Sequence, residues 1–180
     1  MTGDDTLVTA KRSALDEWLL IATVVVLDQL TKYLVVRNLD LHESVPVIPG
    51  FLDFTHVRNS GAAFGLLNAV DFPGKPVVIA LVAFIALLVM AAYAAQLPPS
   101  HRLARLGLAF VLGGAGGNLI DRVRQGYVVD YVDAYWRGWH FWAFNVADAA
   151  ITIGVILIVL DLLWSPVTPD TASPTEVRES

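Results

Sequence analysis

Phe144-Asn145-Val146-Ala147-Asp148 runs directly into the apolar stretch 149–160. Its aspartate stands at the edge of a segment suited to hydrocarbon, where a carboxylate is costly and marks a functional site by default. A second aspartate lies a short connection upstream, in Val128-Val129-Asp130-Tyr131. Outward from this pair, residues 147–164 are joined by three further runs, 18–36, 77–95 and 103–120. Each approaches the roughly 20 residues that a helix needs to cross about 30 Å of hydrocarbon. The chain therefore reads as an all-α membrane protein with four transmembrane helices.

Composition agrees. Of 180 residues 56% are hydrophobic and 16% charged, with a mean hydropathy of +0.59, too apolar for an ordinary soluble domain. A net charge of −5 with scattered Lys and Arg leaves no basic footprint, so nucleic acid is excluded as a partner. The lack of cysteine excludes disulfides, thiolate metal sites and a thiol nucleophile. The first apolar run has no small-residue cleavage signal at its end and is expected to be a retained anchor.

Lys11 and Arg12 precede the first run, and Arg102 and Arg105 lie in the connection 96–105. The positive-inside rule puts both on the cytoplasmic side, narrowly, against Arg122, Arg124 and Arg137. Both termini are then cytoplasmic, and the long connections 37–76 and 122–146 lie outside. The first holds two β-type runs hinged at Pro49-Gly50, which predict a small extracytoplasmic β-element. The expected organisation is a cytoplasmic segment 1–17, a transmembrane domain 18–164 and a disordered cytoplasmic tail 165–180, rich in Pro, Ser, Thr and acid.

Several polar groupings could carry chemistry. Asp28 and Lys32, spaced i, i+4, share a helix face and form a pair better suited to structure than to catalysis. Arg58-Asn59-Ser60-Gly61-Ala62-Ala63-Phe64-Gly65 reads equally as a grip for an extended peptide main chain or as a turn into a short interfacial helix. Gly113-Gly114-Ala115-Gly116-Gly117 lets helices approach closely. Just beyond it, Asn118 and Arg122 share a face. Arg122 either satisfies helix carbonyls and meets Asp121, or works with Asn118 to position a substrate carbonyl or an active-site loop.

Asn145 and Asp148 have capping-box spacing, which places Asp148 in a first helical turn where the dipole favours an anion. Asp130 alternates with Val128 and Val132, while Asp133 faces the other way. If Asp130 and Asp148 meet, they should share one proton, as paired protease carboxyls do. No H-E-x-x-H or G-x-S-x-G occurs, and a metal on Asp130, Asp133 and Asp148 would need further oxygen ligands.

Five motifs, Asp28-Gln29-Leu30-Thr31-Lys32, Asn59 to Gly65, Gly113 to Arg122, Val128-Val129-Asp130 and Phe144 to Asp148, resemble in order those of bacterial lipoprotein signal peptidase, or signal peptidase II. The resemblance runs over about residues 28–154 and touches all four helices. It implies an aspartic endopeptidase of the bacterial cytoplasmic membrane, active near the outer leaflet. Its substrates would be diacylglyceryl prolipoproteins, cut just before the lipidated cysteine. The resemblance also implies that Asp130 and Asp148 are the catalytic pair, and that Asp28, Lys32, Asn59, Gly61, Asn118, Arg122 and Asn145 support or line the site. Tyr131, where many relatives have Phe, is a departure. Membrane lipid is an expected partner, a monomer is expected, and no cofactor is required. The competing reading is a small proton-coupled carrier with Asp28, Lys32 and Asp148 as relay. The lack of an evident repeat and the clustering of polar motifs on one membrane side argue against it.

Overall fold

A computed structural model describes residues 3–61 and 72–164. The expected interfacial helix after Gly61 and the expected disordered tail 165–180 lie outside the described residues. The chain order is α1 (Gly3–Asn38), β1 (Ser44–Ile48), β2 (Leu52–Asn59), α2 (Lys75–Gln96), α3 (Arg102–Gln125), β3 (Val128–Trp136), β4 (Trp139–His140) and α4 (Val146–Trp164). Four stretches, Ala14–Asn38, Lys75–Gln96, Arg102–Gln125 and Val146–Trp164, are long and apolar enough to cross a membrane.

α3 is the central helix, packed against α1, α2 and α4. Glycines make the closest approach possible. A Cβ on Gly107 would stand 2.5 Å from the Gly154 carbonyl oxygen of α4, and one on Gly113 would stand 2.8 Å from Cβ of Val24 in α1. In a bilayer, where apolar burial does not drive helix association, such backbone proximity supplies the van der Waals contact that does. α2, by contrast, leaves Val77, Val82 and Val89 exposed, as a lipid-facing helix should.

α3 reaches Gln125, five residues beyond the apolar run 103–120. Its last turn carries Arg122 and Arg124, which suit the negative end of the helix dipole, and Gly126 closes it with φ 81°. The chain then reverses into β3.

The sheet is larger than the expected hairpin, because the second long connection contributes strands to it. Its order is β1-β2-β3-β4, all antiparallel. β2 pairs with β3 so that Val57 opposes Asp130 and Asn59 opposes Val128. On its other side β3 meets Phe144, whose carbonyl accepts hydrogen bonds from the Tyr131 and Val132 amides. Asp130 is thereby fixed beside the entry to α4. Val35, Val129 and Tyr131 form a small core where α1 passes under the sheet.

Candidate functional site

Asn145, fully buried, occupies the centre of the site. Its side-chain oxygen accepts from the Asp148 backbone N–H at 3.0 Å, while an Asp148 carboxylate oxygen accepts from the Asn145 N–H at 3.2 Å. This is the reciprocal capping box expected from the spacing. The amide nitrogen of Asn145 meanwhile donates to Oδ1 of Asp130 at 2.7 Å. One side chain therefore holds both aspartates.

Each carboxyl has a second amide partner. Asn59, at the end of β2, donates to Oδ2 of Asp130 at 2.9 Å and accepts from the Gly61 N–H at 3.0 Å. Asn118 of α3 donates to Oδ1 of Asp148 at 2.9 Å. Burial pushes the Asp130 carboxyl up to about 7, and the charge of Asp148 pushes the same way. The Asn59 and Asn145 amides and the Lys32 ammonium oppose that rise.

Beneath the pair, Lys32 reaches Asp28 at 2.8 Å, Asn118 at 2.8 Å and Asp121 at 2.9 Å. The i, i+4 pair is real, and both members are buried. Asp28 also holds the neighbouring helix, because its other oxygen accepts from the Ala147 N–H at 3.0 Å, in the first turn of α4. Gly117 admits it, since a Cβ there would stand 2.5 Å from Asp28 Oδ2.

Arg122 satisfies a helix carbonyl as expected, but it does not meet Asp121. It donates to the Asn118 carbonyl at 3.3 Å and the Gly61 carbonyl at 3.2 Å, clamping the turn after β2 to α3. Asp121 goes instead to Lys32, to the Gln29 amide at 2.9 Å and to the Val129 N–H at 3.3 Å. Gln29 and Asp121 are thus site-supporting residues absent from the sequence-derived set. Their presence inside the quoted motifs was the available signal. Asp133 turns away to His140 at 2.9 Å and does not join Asp130 and Asp148.

All nine residues singled out in the sequence converge at one end of the bundle. Ala62, Ala63, Phe64 and Gly65 of the second motif lie outside the described residues. The fold and the site define a multi-pass membrane protein with two aspartates held on a shared asparagine.

The family model for signal peptidase (SPase) II matches residues 20–164. The chain belongs to that family, whose members are aspartic peptidases. It is 49% identical over 143 residues to a lipoprotein signal peptidase of Syntrophotalea carbinolica, covering 79% of this chain and 88% of the relative. It is 46% identical over 142 residues to one of Geobacter metallireducens, covering 79% and 86%. A solved bacterial membrane enzyme is similar in structure, with a TM-score of 0.75 and 33% identity over 84% of this chain and 94% of that one. The carrier reading has no support in these comparisons.

Proposed function

We propose that this chain removes the signal peptide of diacylglyceryl-modified prolipoproteins by cutting just before the lipidated cysteine, with Asp130 and Asp148 as the catalytic pair. The observation that carries the assignment is Asn145, bonded to both acids at once. Asp148 begins as the carboxylate, in the first turn of α4. It takes a proton from water, whose oxygen attacks the scissile carbonyl carbon. Asp130, raised to about 7 by burial, holds a proton near neutrality and gives it to the carbonyl oxygen as charge develops there. Collapse of the tetrahedral intermediate breaks the C–N bond as the proton on Asp148 passes to the leaving amine, and the proton on the former carbonyl oxygen returns to Asp130 as the C=O re-forms, which restores the singly protonated pair. Lys32, Asn118, Asn59 and Arg122 position the acids and the turn beside them.

In this proposal residues 1–17 and 165–180 are cytoplasmic, 18–164 form the peptidase domain, and the acids and the sheet lie at the outer leaflet. Arg102, Arg105, Lys11 and Arg12 favour that orientation. The Arg105 guanidinium grips Glu17 at 2.7 and 2.8 Å, which supports a shared membrane side for the start of the first span and the α2–α3 connection.

The test is cleavage of a diacylglyceryl-modified and an unmodified precursor by purified protein, beside Asp130→Asn and Asp148→Asn. The modified precursor alone should be cut, and neither variant should cut it. A folded Asp148→Asn protein with near-normal turnover would remove the dyad.

A further inference from the structure

Residues 136–142, Trp136-Arg137-Gly138-Trp139-His140-Phe141-Trp142, form the tip of the β3–β4 hairpin. Trp136 pairs with Trp139 across a turn in which Arg137 and Gly138 both have positive φ, 51° and 83°. Such a two-residue turn matches the twist of the flanking strands. Below it the Tyr135 and His140 rings stack at 4.9 Å. The large side chains are nonetheless uncovered: Trp139 is 84% exposed, Trp136 63% and Phe141 62%. With Phe51 and Ala134 they border an open apolar cavity of about 410 Å³.

The placement of the other tryptophans says what covers this tip. The chain has five, and three are in this hairpin. The remaining two, Trp18 and Trp164, sit near the start of the first span and at the end of the last, both well exposed. Trp164 is eighteen residues beyond Val146, the first residue of α4. At a rise of about 1.5 Å per residue this is about 27 Å, close to the thickness of the hydrocarbon. Trp142 lies four residues before that helix begins. Trp18 and Trp164 thus mark one end of the spans, while Trp142 stands close to the start of α4 at the other, on the connection that carries Trp136 and Trp139. Indole rings concentrate at both membrane interfaces, where an apolar body and a polar N–H are each satisfied.

We infer that the β3–β4 tip is a membrane anchor, seated among the lipid headgroups and upper acyl chains of the bilayer that the helices cross. Trp136, Trp139, Phe141 and Trp142 supply the apolar contact, and Arg137 at the turn reaches the phosphates. Because the anchored strand is the one that carries Asp130, the bilayer itself fixes the height of that acid.

The native chain has no cysteine, so Trp139→Cys and Ser100→Cys each carry a single nitroxide label. In vesicles of phosphatidylcholine and phosphatidylglycerol, oxygen should relax the label at 139 several-fold more, relative to a water-soluble nickel chelate, than the label at 100. A chelate-dominated label at 139 overturns the anchor. Protection from both relaxants at 139 also overturns it, since a protein partner or a second copy would then cover the tip. Should the Cys variant not fold, the unlabelled protein serves. Its tryptophan emission should be quenched by lipids brominated near the headgroup. Changing Trp136, Trp139 and Trp142 together to Phe should remove most of the quenchable emission, and unchanged quenching refutes the proposal.

Discussion

Asn145 is the side chain whose loss should most directly separate folding from catalysis. Asn145→Ala removes the N-cap of α4, worth about 1 kcal/mol, and the 2.7 Å bond to Asp130. A hydrogen bond to a charged group contributes about 1.5–3 kcal/mol, and each 1.4 kcal/mol lost at the transition state costs about tenfold in rate. Turnover of a diacylglyceryl precursor, followed by gel shift, should therefore fall roughly ten- to a hundredfold. Asn145→Ser is the informative comparison, because serine caps a helix about as well but is too short to hold both acids. It should recover most of the thermal stability in detergent and little of the turnover.

The pH profile gives an independent readout. The Asn145 amide lowers the Asp130 pKa by favouring its ionised form. Without it the pKa rises, protonated Asp130 persists to higher pH, and the alkaline limb of whatever activity remains moves upward. Near-normal turnover of folded Asn145→Ala, or full recovery of both rate and stability in Asn145→Ser, would refute the shared-asparagine argument.

The rate of the native protein should fall on both sides of an optimum, with the alkaline limb near the value of about 7 set by burial of Asp130, and a flat profile would exclude a singly protonated pair. The folded pKa of Asp130 exceeds its ordinary 3.8, so its contribution to stability is full below that value and is lost as pH rises through about 7; detergent unfolding titrations check this. Lys32→Met should destabilise by about 3–5 kcal/mol, since it strands two buried carboxylates, and combining it with Asp121→Asn should restore part of the loss in the same unfolding assay. Single cysteines at Gln125 and Ser100, both exposed, should react with an outside impermeant thiol reagent at 125 only. The reverse labelling would invert the topology.

What was legible in the sequence was local. Apolar run length gave the four spans, because the bilayer dictates it. Capping-box spacing gave the Asn145–Asp148 pair, and i, i+4 spacing gave Asp28–Lys32, since both are consequences of helical geometry. The pairing of β2 with β3 was not legible. It joins residues 71 positions apart in the Asn59–Asp130 bond, and no short pattern encodes such a register. The preference of Asp121 for Lys32 over its neighbour Arg122 was hidden for a related reason. Adjacent residues on α3 point about 100° apart, so which one faces α1 depends on the helix crossing. That crossing is set by glycines whose partners lie on other helices, Gly107 with Gly154 and Gly113 with Val24.

Lys32 controls Asp148 through the orientation of an amide. All three ammonium hydrogens have acceptors: Asp28, Asp121 and the side-chain oxygen of Asn118. An asparagine has one oxygen and one NH₂, so committing the oxygen to Lys32 turns the NH₂ toward Oδ1 of Asp148. Without the ammonium only the longer 3.3 Å bond from the Asn145 amide nitrogen holds that oxygen, and a flipped amide would present oxygen to a carboxylate, which repels it. The same lysine orients Asp28, whose other oxygen secures the first turn of α4 through Ala147. A charge that never touches either catalytic candidate thus sets both the donor that meets Asp148 and the helix that carries it. This explains why so costly a group as a buried ammonium stands beneath the site, where an apolar residue of similar volume would pack as well but orient nothing.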